Sequence, residues 1–154
     1  MTKLSTLERR DLFFSRRMVI SRTPYYNFIT NEGVGVERAD LPKQLLEIIK
    51  LCTKDSNGVL ECAVFCNREF RVESSLSYGV VLNFYTGCIR VYRVNFETQR
   101  KGYMTSLYKI LKSIQKEYDL GKIIIDCVIS DEMLSWCNKN GFVGSGSMLD
   151  YRES

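Results

Sequence analysis

The chain has no histidine, only two prolines, and no apolar run near the roughly 20 residues that a bilayer-crossing helix needs. Without an imidazole there is no triad with a histidine base, no histidine-ligated metalloprotease centre and no histidine pH switch. Cysteines stand at 52, 62, 66, 88, 127 and 137, and no two have CxxC spacing. With no histidine to complete a ligand set, no metal site is expected. Most of the thiols lie inside apolar runs, such as Cys62-Ala63-Val64-Phe65-Cys66, where cysteine acts as a small core residue. The first thirty residues are charged throughout and never build the apolar stretch of a secretory signal. Reduced thiols in a cytoplasmic protein are therefore expected.

What is present is ordinary globular material: 154 residues, 45% hydrophobic and 26% charged. A chain of this length buries about 70% of its unfolded surface and needs no disulfide or metal to hold a core. The net charge of +4 is unevenly placed. Residues 1–30 hold Lys3, Arg9, Arg10, Arg16, Arg17 and Arg22 against Glu8 and Asp11. Residues 100–122 hold Arg100, Lys101, Lys109, Lys112, Lys116 and Lys122 against Glu117 and Asp119. Such patches can draw nucleic acid or a phosphorylated small molecule, or can simply be a solvated helix face.

Ser5-Thr6-Leu7-Glu8 is a capping box that predicts a helix over 5–18. Extended segments follow at 25–30 and 34–37, split by Asn31-Glu32-Gly33. Asp40 is a candidate N-cap, with Pro42 in the first turn, for a helix carrying Leu41, Leu45, Ile48, Ile49 and Cys52 to about residue 54. After the turn signal Asp55-Ser56-Asn57-Gly58, strands are expected at 59–66, 78–85 and 88–96, the last two joined tightly at Thr86-Gly87. Tyr103, Leu107, Ile110, Leu111, Ile114 and Tyr118 mark an amphipathic helix closed by Gly121. The nearly all-apolar run 122–129 reads as a strand covered on both faces. A short helix over 131–140 ends at Gly141, and a last strand is expected at 147–152. The expected fold is a single domain, 1–154, of α/β (α+β) class, with a mixed central sheet of about six to seven strands and about four flanking helices.

The stretch with chemical content is Val94-Asn95-Phe96-Glu97-Thr98-Gln99-Arg100-Lys101-Gly102-Tyr103-Met104-Thr105, between a strand and the N-terminus of a basic helix. Unpaired amides, the helix dipole, a glycine that lets the main chain approach closely, and two cations together suit a pyrophosphate. It lacks the second glycine and the Lys-Ser/Thr pair of a Walker A loop, and the three glycines of a dinucleotide fingerprint. An ordinary strand-to-helix turn is the alternative on this loop alone.

With Gln99-Arg100-Lys101-Gly102-Tyr103-Met104 in this place, the sequence resembles the GNAT superfamily of N-acetyltransferases, whose acetyl-CoA loop reads Gln/Arg-x-x-Gly-x-Gly/Ala between the fourth strand and the next helix. Trp136-Cys137-Asn138-Lys139-Asn140-Gly141-Phe142 is similar to the family's aromatic-Tyr-x-x-x-Gly-Phe pattern, one buried strand further on. The resemblance covers about 58–153. It implies acetyl-CoA as co-substrate, with the backbone of Val94 and Phe96 pairing the pantetheine arm where two strands splay apart. It also implies Gln99, Arg100, Lys101, Gly102, Tyr103, Met104 and Thr105 around the pyrophosphate, and Ser130 where the family often has an asparagine. An amine acceptor would attack the thioester directly, a reaction that depends mainly on positioning.

The sequence departs from the family in three places. Met104 stands for a small residue, Ser130 for the asparagine, and Cys137 for the tyrosine that often protonates the departing thiolate. Cys137 is then either that acid or a buried packing residue. Strand alternation puts Cys88, Arg90, Tyr92 and Val94 on one face, making Tyr92 the candidate proton relay, with the carboxylates Glu97 and Asp126 as the other groups to consider. A catalytically inactive module on this fold, of the kind some viruses encode, is the main alternative. A nucleic-acid binder using Arg9, Arg10, Arg16 and Arg17 with Tyr25 and Tyr26 has the least support. The acceptor's identity and any homo-oligomer stay open, though the stretch 68–77 is expected to be exposed on the acceptor side.

Overall fold

The computed structural model describes residues 24–85, 87–99, 101–126, 128–144 and 150–154. The capping-box helix expected at 5–18 lies outside the described residues, as do Thr86, Arg100, Cys127 and 145–149.

Nine strands of the described residues form one sheet, in the order β2-β1-β3-β4-β5-β6-β7-β9-β8. The chain begins with a hairpin, β1 (Tyr25–Asn27) and β2 (Glu32–Val34). A 3₁₀ turn (Arg38–Asp40) and helix α1 (Lys43–Asp55) follow. Then come β3 (Cys62–Cys66), β4 (Glu69–Glu73), β5 (Gly79–Tyr85) and β6 (Cys88–Asn95), an antiparallel run. Helix α2 (Tyr103–Glu117) crosses over to β7 (Lys122–Ile125), which pairs with β6 in parallel. Helix α3 (Asp131–Lys139), β8 (Phe142–Gly144) and β9 (Tyr151–Glu153) complete the order. The α+β class and mixed sheet agree with the sequence. The described residues hold nine strands and three α-helices, more strands than expected.

The additional strands have physical reasons for being hard to read. The stretch expected to lie exposed at 68–77 contains β4, inside the sheet between β3 and β5, with Phe70 and Val72 fully buried. Its other face alternates Glu69, Arg71 and Glu73, and that charge hides a strand from a reading based on apolar content. Asp40 does not cap α1. It ends the 3₁₀ turn, and Pro42 occupies the N-cap with no side-chain bond. Nor does Gly121 close α2: the left-handed residue after the C-cap Tyr118 is Asp119, with φ 51°. Gly121 is required for another reason, since a Cβ there would run into the carbonyl of Gly87.

Helices α1 and α2 pack on one face of the sheet. Leu45, Ile48 and Cys52 of α1 and Leu107, Leu111 and Ile114 of α2 meet Phe70, Leu82, Phe84, Ile89, Val91, Ile123 and Ile125. Across the helix pair Gln44 Nε2 donates to Ser113 Oγ at 3.1 Å and to Glu117. The opposite face carries ion pairs: Arg71 with Glu69 (3.0 Å) and Glu73 (2.9 Å), Arg93 with Glu73, and Arg90 with Asp126 and Asp150. Near the sheet's far edge, Glu153 accepts hydrogen bonds from Tyr108 (2.6 Å), Lys112 (3.0 Å), Gln115 (2.9 Å) and the amide of Ile123 (2.8 Å).

Candidate functional site

The site begins where two parallel strands part. β6 and β7 pair from Cys88 opposite Lys122 to Val91 opposite Ile125, and the Asp126 amide makes the last tie, 2.9 Å to the Val91 carbonyl. At the same point β6 bulges against β5: Leu82 faces Val91 and Val81 faces Arg93, leaving Tyr92 as the extra residue. A bulge bends its strand and sharpens the twist. β6 continues to Asn95 beside β5 alone, while the chain after β7 turns off to Ser130 and α3.

The bulge also corrects the face assignment. Alternation places Arg90, Tyr92 and Val94 together, but with one residue inserted Val94 joins the face of Val91 and Val80, opposite to Arg90. Tyr92 is 57% exposed and does not line the cleft.

Between the diverging segments lies a cleft of about 820 Å³. Its walls include Val94, Phe96, Gln99, Gly102, Tyr103, Met104, Thr105 and Ser130, all singled out in the sequence, together with Met133, Trp136 and Lys139. Arg100 lies outside the described residues; Lys101 is exposed beside the cleft without lining it.

At the floor stands the N-terminus of α2. Its N-cap is Gly102, at φ 74°, with no side-chain cap and no acidic residue in the first turn. The first intrahelical bond runs from Ser106 N–H to the Gly102 carbonyl (2.9 Å), so the amides of Tyr103, Met104 and Thr105 have no acceptor within the helix. A Cβ added to Gly102 would meet nothing within 4 Å, so that position is open. The contrast with α3 is informative. There Ser130 Oγ accepts from the Met133 amide at 3.1 Å, and Asp131 and Glu132 occupy the first turn. One helix start is closed and acidic and the other is bare; both open on the same cleft, whose lining includes Asp131 and Glu132 as well as Lys139. A bare helix start favours an anion.

The remaining side chains hold the walls. Gln99 is exposed and folds back on its own loop, its Nε2 donating to the Phe96 carbonyl at 2.7 Å. Tyr103 packs on Phe96, ring centroids 5.6 Å apart, and Met104 is half-buried against the core. Thr105 Oγ1 accepts from Trp136 Nε1 at 3.1 Å, and Trp136 packs with Tyr108 and Phe142 at 5.4 Å. Under the loop Asp55 accepts from the amides of Glu97 (2.7 Å) and Thr98 (2.8 Å), a contact that no local pattern in the chain announces.

The candidate acid and base groups fare differently. Cys137 has no exposed surface and is absent from the cleft wall, and burial pushes its thiol up to about 11. It packs in the core. Asp126 sits at the parting point but is tied to Arg90; burial first, then Asp150, hold it above the usual carboxylate range despite that arginine. Glu97 is exposed, and only its amide is engaged by Asp55. Among the described residues no group of three metal-binding side chains comes together. No helix is long and apolar enough to cross a membrane among those residues. No family model, curated protein or solved structure matches the chain.

Proposed function

We propose that the protein is an acetyl-CoA-dependent N-acetyltransferase that moves an acetyl group to an amine in a ternary complex. The observation that carries this is the uncapped start of α2, with an open Gly102, at the floor of a cleft formed where two parallel strands separate. The diphosphate would be held by the amides of Tyr103, Met104 and Thr105, with Lys101 and Lys139 adding positive charge. The pantetheine arm would extend β6 as a strand does, taking main-chain partners at Val94 to Phe96 on the side β7 leaves free. The thioester would then lie near the parting point.

The chemistry asked of the protein is modest. The amine nitrogen forms a bond to the thioester carbonyl carbon, the carbon–sulfur bond breaks, CoA leaves as the thiolate, and the ammonium proton passes to solvent or to the sulfur. Holding both reactants in line supplies most of the acceleration. Neither Cys137 nor Tyr92 takes a proton in this scheme, because neither reaches the cleft.

That same fact favours a second reading, a binding module on this architecture without turnover. The two separate cleanly. Isothermal titration with CoA and acetyl-CoA tests the seat, and release of free thiol from acetyl-CoA in the presence of a panel of amines tests transfer. Binding with transfer supports the enzyme; binding without transfer leaves the module. Absence of binding at high micromolar CoA removes the enzyme.

A further inference from the structure

We propose that Asp55, the last residue of α1, is a positioning residue that sets the shape of the phosphate-binding loop from beneath; this rests on the CoA reading above. Its carboxylate is held at an unfavourable place twice over. The residue is only 5% exposed, and it stands at a helix C-terminus, where the dipole disfavours negative charge. What offsets both costs is a pair of charge-assisted bonds to consecutive amides, Glu97 (2.7 Å) and Thr98 (2.8 Å), more than forty residues away in sequence.

Those amides belong to the segment joining β6 to α2. Fixing two adjacent N–H groups on one carboxylate orients both peptide planes, and with them the following turn. Gln99 adds a second brace through its bond to the Phe96 carbonyl. The amides of Tyr103 to Thr105, which have no acceptor within the helix, are the donors at the loop's end among the described residues. Asp55 touches no ligand; it decides which amides a ligand meets.

The proposal has a sign that simple electrostatics opposes. A negative charge beneath an anion seat repels the anion, so on Coulomb grounds alone neutralising Asp55 would tighten CoA binding. Positioning requires the reverse, because an asparagine accepts one of the two amide bonds through its oxygen and turns an N–H₂ donor toward the other.

The test uses Asp55→Asn and Asp55→Ala in the full chain, with CoA and pantetheine as probes, the latter carrying the arm without the diphosphate nucleotide. Expected is a loss of CoA affinity of about tenfold to a hundredfold, with pantetheine changed less than about twofold. Amide hydrogen exchange of the unliganded protein reads the brace directly, and exchange at Glu97 and Thr98 should quicken by about tenfold or more while the sheet is unaffected. Unchanged or tighter CoA binding by the folded asparagine variant overturns the proposal, as does an equal loss for both probes. Should the wild-type chain bind no CoA, the acetyltransferase reading falls, and exchange decides Asp55 alone. Acceleration confined to the loop keeps the brace, and acceleration spread through the sheet removes it.

Discussion

Cys137 and Glu153 show how the same event, burial, leads to opposite results depending on the partners supplied. Burial lifts the Cys137 thiol to about 11, with no donor or cation to offset it. At pH 8 about one such thiol in a thousand is ionised. Site-resolved alkylation of the native protein at that pH should therefore leave Cys137 unlabelled while the half-buried Cys62, Cys66 and Cys88 react. Cys137→Ala should cost about 1 kcal/mol of stability and leave CoA affinity within about twofold. A collapse of binding would restore a role in the cleft. For Glu153 burial also pushes upward, but hydrogen bonds from Tyr108, the Ile123 amide, Lys112 and Gln115 outweigh it, and the carboxyl is held below its ordinary 4.5. A carboxyl lowered in the folded state adds stability that is complete above 4.5 and is lost as pH falls through the folded value. Denaturant titrations from pH 6 down to pH 3 should show that loss in the wild type. Glu153→Gln should be less stable at pH 6 and flatter below it. Asp126, raised in the folded state, contributes in the opposite direction and is common to both proteins. Neither Glu153's role nor Asp55's is readable in the sequence, because their partners lie 30 to 45 residues away and only the tertiary fold brings them together.

Elements that announce themselves by a period were readable, and those shaped by a neighbour were not. The apolar spacing of α2 and the unbroken run of β7 predict both elements, and the polar segment between β6 and α2, distinctive in its residue types, lines the cleft. β4 escaped because three of its five residues are charged, and β8 because three residues carry no period at all. The bulge at Tyr92 is set by pairing with β5, so strict alternation carried past it puts Val94 on the wrong face. Gly102 is the position where local sequence and the proposed function coincide. Its φ of 74° is left-handed, and nothing stands within 4 Å of a Cβ built there. Gly102→Ala therefore causes backbone strain without a clash, about 1 kcal/mol and a melting temperature lower by about 2–4 °C. The methyl group would also stand at the open start of α2, so CoA affinity should fall by about tenfold on top of that small loss. Equal affinity in the two proteins would move the diphosphate away from this helix.

A single sheet carries both the core and the cleft, and the two are divided at Val91. Up to that residue β6 is held on both sides, and its inward side chains belong to the core under α1 and α2. Past it, the strand end and α3 are walls of one opening, linked across the described residues by the Trp136–Thr105 bond and the rings of Trp136, Tyr108 and Phe142. A ligand that bonds to β6 on one wall and to the start of α2 at the floor, while packing on α3, ties together parts that otherwise meet at their margins. Such a ligand binds the folded state alone, so linkage fixes its effect: at a free concentration one hundred times the dissociation constant it adds about 2.7 kcal/mol. For a chain of this length that corresponds to a rise in melting temperature of about 5–10 °C. Calorimetry with increasing CoA should show that rise, continuing logarithmically with concentration. Hydrogen exchange should show slowed amides at 94–105 and 130–139, with little change in β1 to β4. A rise in melting temperature with protection placed elsewhere on the sheet would mean that the nucleotide has another seat, and the cleft at the parting strands would lose its assignment.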